Sequence, residues 1–440
     1  MTLMPAPPCP CDRFHVEDLR GSCKDRFWAP IMNWAAGYPQ REWWIAPLRW
    51  LFPIVRIPIM GVTAVLRDED VREVLLHDQE FQVPWGERMK AVTGCKNFVL
   101  GMPANDEYRH NYAQLAKAFK REDVAEFVVP LSARASEEIL RSQAQKDPAT
   151  GRMRIDAVRE LMWRVPSQLC EDYFGIRIPD KFLFAAWTVA MSRYLFGEAN
   201  DRLAPSQPFI KDLALAAADC FRDLIRAAIS DARKGRSPGV VLPRLIEMQR
   251  TDPLLTDPVI EAHLFGMVTG FIPTDLLAGG HMLNTLLRCE AYKKRALAAL
   301  YAGNDDLLWR CLQEALRFRH FNLGPFRLCG PSGYTIAAGT RREKRIAPGT
   351  QMLASTQSAM FDSRRVENPK VFNPDRPEDD YMVFGFGQHW CIGKYIAIAQ
   401  ITETFKALLH KQGLKPVRGR AGRLQMYTVY PANLTVEFEP

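Results

Sequence analysis

The chain has 440 residues, 47% of them apolar and 25% charged, ordinary values for a folded globular protein that exclude disorder over most of its length. Lys plus Arg number 58 against 50 for Asp plus Glu, a net charge of +8. So diffuse an excess argues against a nucleic-acid partner and for a local basic patch facing an acidic one. The ten cysteines are scattered with no Cys-x-x-Cys pair, and Met1 to Asp12 is Pro-rich without an apolar core. These features predict a reduced, cytoplasmic protein.

The segment 1–40 reads as a loosely organised arm, and 41–440 as a single domain. The most apolar early stretch, Trp43 to Met60, carries Arg49 and Arg56 and is broken by Pro47, Pro53 and Pro58. It does not make a spanning helix of about 20 apolar residues, so no integral membrane segment is expected. Lying against a membrane surface is the membrane role left open to it. Ile54 to Val65 reads as short strands, and Asp68-Glu69-Asp70 starts a helix whose apolar face is Val71, Val74, Leu75 and Leu76. Phe81 to Asp106 is rich in Gly and Pro and reads as loop. Long helices are predicted over Tyr112–Phe119, Val129–Ser142, Ile155–Phe174, Asp180–Phe196, Phe209–Lys234, Val259–Arg288 and Asp306–Phe318. Strands return at Phe326–Leu328, Tyr334–Ile336 and Gln351–Ser355; a helix follows from Gly393 to His410, and Leu424–Glu439 reads as a hairpin. The fold class is mainly α with small separate β-sheets.

Three segments carry chemistry. Gly387 to Lys394 is not a phosphate-binding loop, because five residues separate its glycines and Tyr395 follows the lysine. In Phe384-Gly385-Phe386-Gly387-Gln388-His389-Trp390-Cys391-Ile392-Gly393, a cysteine stands among glycines directly before a helix. Helix N–H groups favour a thiolate there, and glycines let the backbone approach a flat, bulky group. This suits an axial ligand to haem iron; the alternative is a buried cysteine in a Gly-rich turn. Glu314 and Arg317 share one helix face, and Phe372-Asn373-Pro374-Asp375-Arg376 makes a turn. By itself each is an ordinary surface feature.

In this order the three resemble the signature of the cytochrome P450 family. Phe384-x-x-Gly387-x-His389-x-Cys391-x-Gly393 is similar to its haem loop, Glu314-x-x-Arg317 to its ExxR motif, and Phe372-x-Pro374-x-Arg376 to the segment completing a Glu-Arg-Arg cluster. Val62–Val65, Asp70–Leu75 and the turn Ile346–Thr350 extend the likeness over roughly 50–440. The resemblance implies a triangular, α-rich single domain holding haem b, with Cys391 as iron ligand and Phe384 beside the sulfur. It also implies haem propionate contacts from His389 and Arg327, and a structural cluster of Glu314, Arg317 and Arg376.

Two departures stand out. Where the family has His-x-x-x-Arg for the propionates, this chain has Tyr108-Arg109-His110-Asn111-Tyr112. Tyr108 and Tyr112 either donate hydrogen bonds to carboxylates or pack as helix-face tyrosines, with Arg109 offset by one. In the distal helix the family's Ala/Gly-Gly-x-Asp/Glu-Thr is replaced by Thr269-Gly270-Phe271-Ile272-Pro273-Thr274-Asp275. In one register Ile272-Pro273 replace the acid–alcohol pair; in the other Pro273 replaces the acid and Thr274 keeps the alcohol. Pro273 either leaves the Thr269 carbonyl free for a water or bends the helix for packing.

The resemblance implies a haem-thiolate monooxygenase acting on an apolar small molecule. It would draw electrons from a separate ferredoxin and ferredoxin reductase docked on Lys117, Lys120, Arg121, Arg364, Arg365, Lys370 and Lys394. The missing pair leaves open a peroxide-dependent enzyme, a peroxygenase or hydroperoxide isomerase. Pro84–Pro103 and Phe182–Ser206 are the expected specificity segments, although the aromatics of the second equally suit helix packing.

Overall fold

The computed structural model describes residues 14–58, 61–197 and 207–440. Helices α1 (Cys23–Ala35) and α2 (Gln40–Leu51) precede strands β1 (Ile54–Ile57) and β2 (Val62–Val65). Then come α3 (Asp68–Leu76), β3 (Phe81–Gln82), α4 (Gly86–Thr93), α5 (Asp106–Ala118) and α6 (Val129–Gln143). β4 (Gln145–Lys146), β5 (Met153–Asp156), α7 (Arg164–Leu169), α8 (Lys181–Ser192), α9 (Gln207–Arg233), α10 (Val241–Met248) and α11 (Asp257–Arg288) form the middle of the chain. α12 (Glu290–Tyr301), α13 (Asp305–Phe318), β6 (Phe326–Cys329), β7 (Tyr334–Ile336), β8 (Lys344–Ile346), β9 (Gln351–Ala354) and α14 (Thr356–Ala359) follow. α15 (Lys394–Leu409), β10 (Lys415–Pro416), β11 (Gln425–Tyr427), β12 (Tyr430–Asn433) and β13 (Thr435–Phe438) close the fold.

The expected mainly helical class is what the chain adopts, with four small sheets. The largest has the order β1-β2-β9-β6-β3, in which β2 and β9 run parallel with Val62 opposite Gln351, and the other pairs are antiparallel. β13 does not stay with the β11–β12 hairpin but joins β5 and β10, so the predicted terminal hairpin is only half of the terminal structure. At the centre lies α11, buried on nearly every side, as its continuous apolar sequence requires.

Local corrections have simple causes. The segment read as a loose arm carries α1, whose Ser22 cap and Asp25 form a reciprocal capping box. α2 runs through Pro47, and α4 forms inside the stretch read as loop. The helix expected from Ile155 begins later, because Ile155 pairs with Val436 in β5–β13. Wide π turns then occupy Val158–Met162 and Cys170–Phe174. Cys23, Cys95, Cys170, Cys289, Cys311, Cys329 and Cys391 are free thiols; Cys220 is disulfide-bonded, against the expectation of a wholly reduced chain. Among the described residues no helix is long and apolar enough to cross a membrane.

Candidate functional site

The loop before α15 is folded by its own backbone. Gly385 N–H donates to the Met382 carbonyl (3.1 Å), Trp390 N–H to Gly387 (3.2 Å) and Cys391 N–H to Phe384 (3.0 Å). The last bond holds Phe384 and Cys391 side by side. Gly387 has φ +75°, and a Cβ there would stand 2.3 Å from the Leu75 carbonyl of α3, so only glycine fits. Burial pushes the Cys391 thiol up to about 11, outweighing the Gly393 and Lys394 N–H groups that favour its anion. Desolvation therefore outweighs the helix start, which does act in the expected direction, and a bound cation would deprotonate the sulfur.

Behind the loop the predicted charge cluster is assembled and fully buried. Arg317 Nε and Nη2 donate to both Glu314 oxygens (2.8 Å each). Arg376 Nε (3.1 Å), the Asn373 N–H (2.9 Å) and the Tyr381 hydroxyl (3.0 Å) add three more donors to the same carboxylate. Arg317 also donates to the carbonyls of Met360 (3.0 Å) and Pro369 (2.8 Å), and Arg376 to those of Asn368 (2.8 Å) and Val371 (2.7 Å). The carbonyls of Asn368, Pro369 and Val371 are thereby paired with arginines held by Glu314, so the cluster ties the 367–376 segment to α13.

On the other side of the loop, His389 packs edge-on against Tyr108 of α5, ring centroids 5.0 Å apart. The Tyr108 hydroxyl donates to the Gln388 carbonyl (2.8 Å), so its proton goes to the loop backbone. Tyr112 lies 5.9 Å from Tyr108, ring to ring. Arg109 is exposed and paired with Asp106, and the structure does not bring it to the loop. Burial, helped by Arg327, lowers His389 to about 4, so the ring is neutral.

α11 continues as helix through Pro273. Thr269 is buried and donates to the Phe265 carbonyl (2.8 Å); Thr274 is half-buried and donates to the carbonyls of Gly270 and Phe271. Gly270 faces Leu100, whose Cδ1 would lie 3.9 Å from an added Cβ. Trp85 packs on Phe196 (5.4 Å) and Phe326 (6.3 Å), an apolar wall beside Arg327. By contrast Phe182 stacks on Trp163 (4.9 Å) and Phe184 packs on Phe221 (5.1 Å), which are helix-packing contacts. Residues 198–206 of that expected specificity segment lie outside the described residues.

A family model described as "Cytochrome P450" matches residues 306–431, the stretch that holds Glu314, Arg317, Arg376 and the cysteine loop. The fold matches the structure of CYP109E1 from Bacillus megaterium in complex with testosterone, with a TM-score of 0.74, 19% identity, and coverage of 92% of this chain and 98% of that one. Residues 306–431 thus resemble the cytochrome P450 family, and the chain adopts the fold of its solved members. Among relatives, the polyketide biosynthesis cytochrome P450 PksS of Bacillus subtilis is 24% identical over 260 residues, 58% of each chain. A bifunctional dioxygenase–epoxy alcohol synthase of Fusarium oxysporum is 28% identical over 179 residues, 39% of this chain and 14% of that one. The matched stretches thus span less than two thirds of either relative's length.

The cofactor of a cytochrome P450 is haem b, and the residues here fit it. Arg327 is buried and has no ion pair among the described residues; its Nη1 donates to the Phe326 carbonyl (2.9 Å), and its Nε has no partner among them. Burial lowers this guanidinium to about 10, with Asp78 opposing. A buried cation lacking a counter-ion is costly, and a carboxylate brought by a ligand would complete it. Cys391 and Arg327 thus supply the two kinds of contact that haem needs, sulfur for iron and cation for carboxylate.

Two further residues escaped the sequence reading. Asp275, next to Thr274, is 4% exposed and its Oδ2 has no partner. Burial holds its carboxyl well above the usual carboxylate range. The available signal was its place in an otherwise apolar helix, but it follows the threonine instead of preceding it. Asp78, two residues beyond α3, is the acid that Arg327 feels, and its Oδ1 likewise has no partner among the described residues.

Proposed function

We propose that this chain is a cytochrome P450 monooxygenase that oxidises an apolar small molecule with dioxygen, its electrons arriving from a separate ferredoxin and ferredoxin reductase. Haem b, bound through Cys391, supplies the iron at which dioxygen takes two electrons and two protons, one oxygen atom entering the substrate and the other leaving as water. The observation that carries the reading is the half-buried Thr274 beside the buried Asp275 on α11. A carboxyl whose proton burial holds more tightly than usual and an adjacent hydroxyl can hold and pass protons where Ile272 and Pro273 cannot. Thr274 supports this through an oxygen that remains able to accept while its proton rests on a helix carbonyl. Leu100, Trp85, Phe196 and Phe326 support an apolar substrate, since they offer rings and methyls and exclude water.

For the electron donor, the free cations narrow the earlier set. Arg365 is committed to Asp379 and Asp380, Arg364 to Asp362, and Lys394 to Glu378. Arg121 lies over the Tyr395 ring (4.3 Å). Lys117, Lys120 and Lys370 are exposed and are the cations best suited to an acidic partner.

A second reading, a peroxide-dependent enzyme, is favoured by the inverted order of alcohol and acid and by the Fusarium relative named an epoxy alcohol synthase. The deciding experiment is turnover of one substrate with NADPH and a ferredoxin pair against turnover with organic hydroperoxide. Tight coupling of NADPH to product supports the monooxygenase. Product from hydroperoxide alone, with NADPH merely drained to hydrogen peroxide, overturns it.

A further inference from the structure

α2 is built inside out. Its inward face carries Arg41, Glu42, Ile45 and Arg49, all buried, whereas Trp43, Trp44, Trp50 and Leu51 are 64%, 42%, 68% and 60% exposed. Arg49 is tied down, its Nη2 donating to Glu42 (2.7 Å) and its Nη1 to the Ser358 carbonyl (2.9 Å); Arg41 reaches Glu42 through Nε (3.4 Å) and lies 4.4 Å from the Phe361 ring centroid, its two terminal nitrogens without a hydrogen-bond partner among the described residues. A helix surrounded by water normally turns its charges out and its rings in. This one is arranged for an outside that is not wholly aqueous.

α1 extends the same surface. Phe27, Ile31 and Trp34 recur at helical spacing and are exposed, with Trp28 and Met32 beside them. Trp34 and Trp43 meet edge to face at 6.2 Å, which joins the two stripes. Of the eighteen large apolar side chains exposed among the described residues, ten lie between Phe27 and Phe52. So concentrated a patch marks an interaction site, and tryptophan is the side chain most at home in the headgroup layer of a bilayer.

Charge selects the partner. Among the described side chains of 23–57 the exposed charged ones are Arg26 and Arg56, whereas the two acids are engaged: Asp25 with Ser22 and Arg193, and Glu42 with Arg49. Four residues beyond Phe52, Arg56 opens a groove shared with Lys344, Arg345, Leu328 and Pro348 and lined by no carboxylate. We propose that the α1–α2 surface docks on the face of a bilayer containing anionic lipid, with its rings in the headgroup layer and Arg26, Arg56 and Lys344 on lipid phosphates. Since no described helix can cross the membrane, the association is peripheral and the aromatic face enters only about 5–10 Å.

The test is co-sedimentation of the haem-loaded protein with vesicles of phosphatidylcholine alone and with added phosphatidylglycerol, followed by tryptophan quenching with brominated lipid. The expected result is binding to the anionic vesicles that weakens with salt, quenched tryptophan fluorescence, and an affinity lowered at least about tenfold by Trp28→Ser/Trp43→Ser/Trp50→Ser. Arg26→Glu/Arg56→Glu should lower anionic-vesicle binding as well. These side chains are exposed, so an unchanged thiolate Soret band will show that the variants remain folded. Wild-type protein that stays in the supernatant with both vesicles overturns the proposal, and a stable dimer in that case assigns the patch to a second copy. Binding unaffected by the triple substitution overturns it too.

Discussion

Replacing Arg317 with alanine tests whether the charge cluster behind the cysteine loop is structural. The side chain makes four hydrogen bonds, two to Glu314 and one each to the carbonyls of Met360 and Pro369. Breaking a buried ion pair costs about 3–5 kcal/mol. The lower end applies here, because Glu314 keeps Arg376, the Asn373 N–H and the Tyr381 hydroxyl. The two stranded carbonyls add about 1–3 kcal/mol each where water cannot reach them. A loss of about 5 kcal/mol is comparable with the whole stability of many domains, about 5–15 kcal/mol. Urea unfolding followed by circular dichroism should show the midpoint lowered by on the order of 1–2 M, and haem content should fall with it. Arg317→Lys should be intermediate, since an ammonium keeps the charge and loses the planar fork. A fully haem-loaded Arg317→Ala protein within about 1 kcal/mol of wild type would refute the assignment.

Cys391→Ala should abolish the red-shifted Soret band of the reduced, carbon-monoxide-bound protein; persistence of that band would show that another residue ligates the iron. Arg327→Leu should lower haem affinity yet leave the haem-free protein equally or more stable, because the lost cation has no ion pair among the described residues; unchanged haem affinity in a titration would contradict this. Thr274→Ala and Asp275→Asn should each divert NADPH electrons to hydrogen peroxide, and full coupling in both would place the proton route elsewhere. His263, His281 and His320 are held at about 3, about 3 and about 4, in each case chiefly by burial. These folded-state values lie below the unfolded one near 6.5, so the stability they contribute is complete above pH about 6.5 and is lost as pH falls towards 4 and 3. Urea midpoints should therefore drop between pH 6.5 and 5, by up to about 1.4 kcal/mol per histidine per pH unit, and His263→Gln should flatten the slope.

The association with an electron donor should weaken with salt and with Lys117→Glu/Lys120→Glu, whereas Arg365→Glu should act mainly on stability, through Asp379 and Asp380. That contrast illustrates what a linear reading misses. Seven cations were equivalent in the sequence. Folding neutralised Arg364, Arg365 and Lys394 with carboxylates and laid Arg121 on a ring.

The cysteine loop and the Glu-Arg-Arg cluster were legible because their chemistry is local or carried by rigid spacing. Gly385 and Gly387 can take φ values that other residues avoid, and Glu314 and Arg317 must share a face three residues apart on any helix. The long helices were legible for the same reason, since apolar periodicity is a property of neighbours in sequence. Other features depend on partners far away in the chain. Val62 meets Gln351, Tyr108 gives its proton to Gln388, and Arg109 turns outward to Asp106. The Asp275 carboxyl rose above the usual range, and Arg327 became a buried cation without an ion pair among the described residues, only when distant segments removed water from around them. Most plainly, the sequence determined that α2 has a charged side and an aromatic side, but not which of them faces the body. Glu42, Ser358 and Phe361 settled that by taking the arginines inward, because a buried charge is tolerable only where folding supplies its partners.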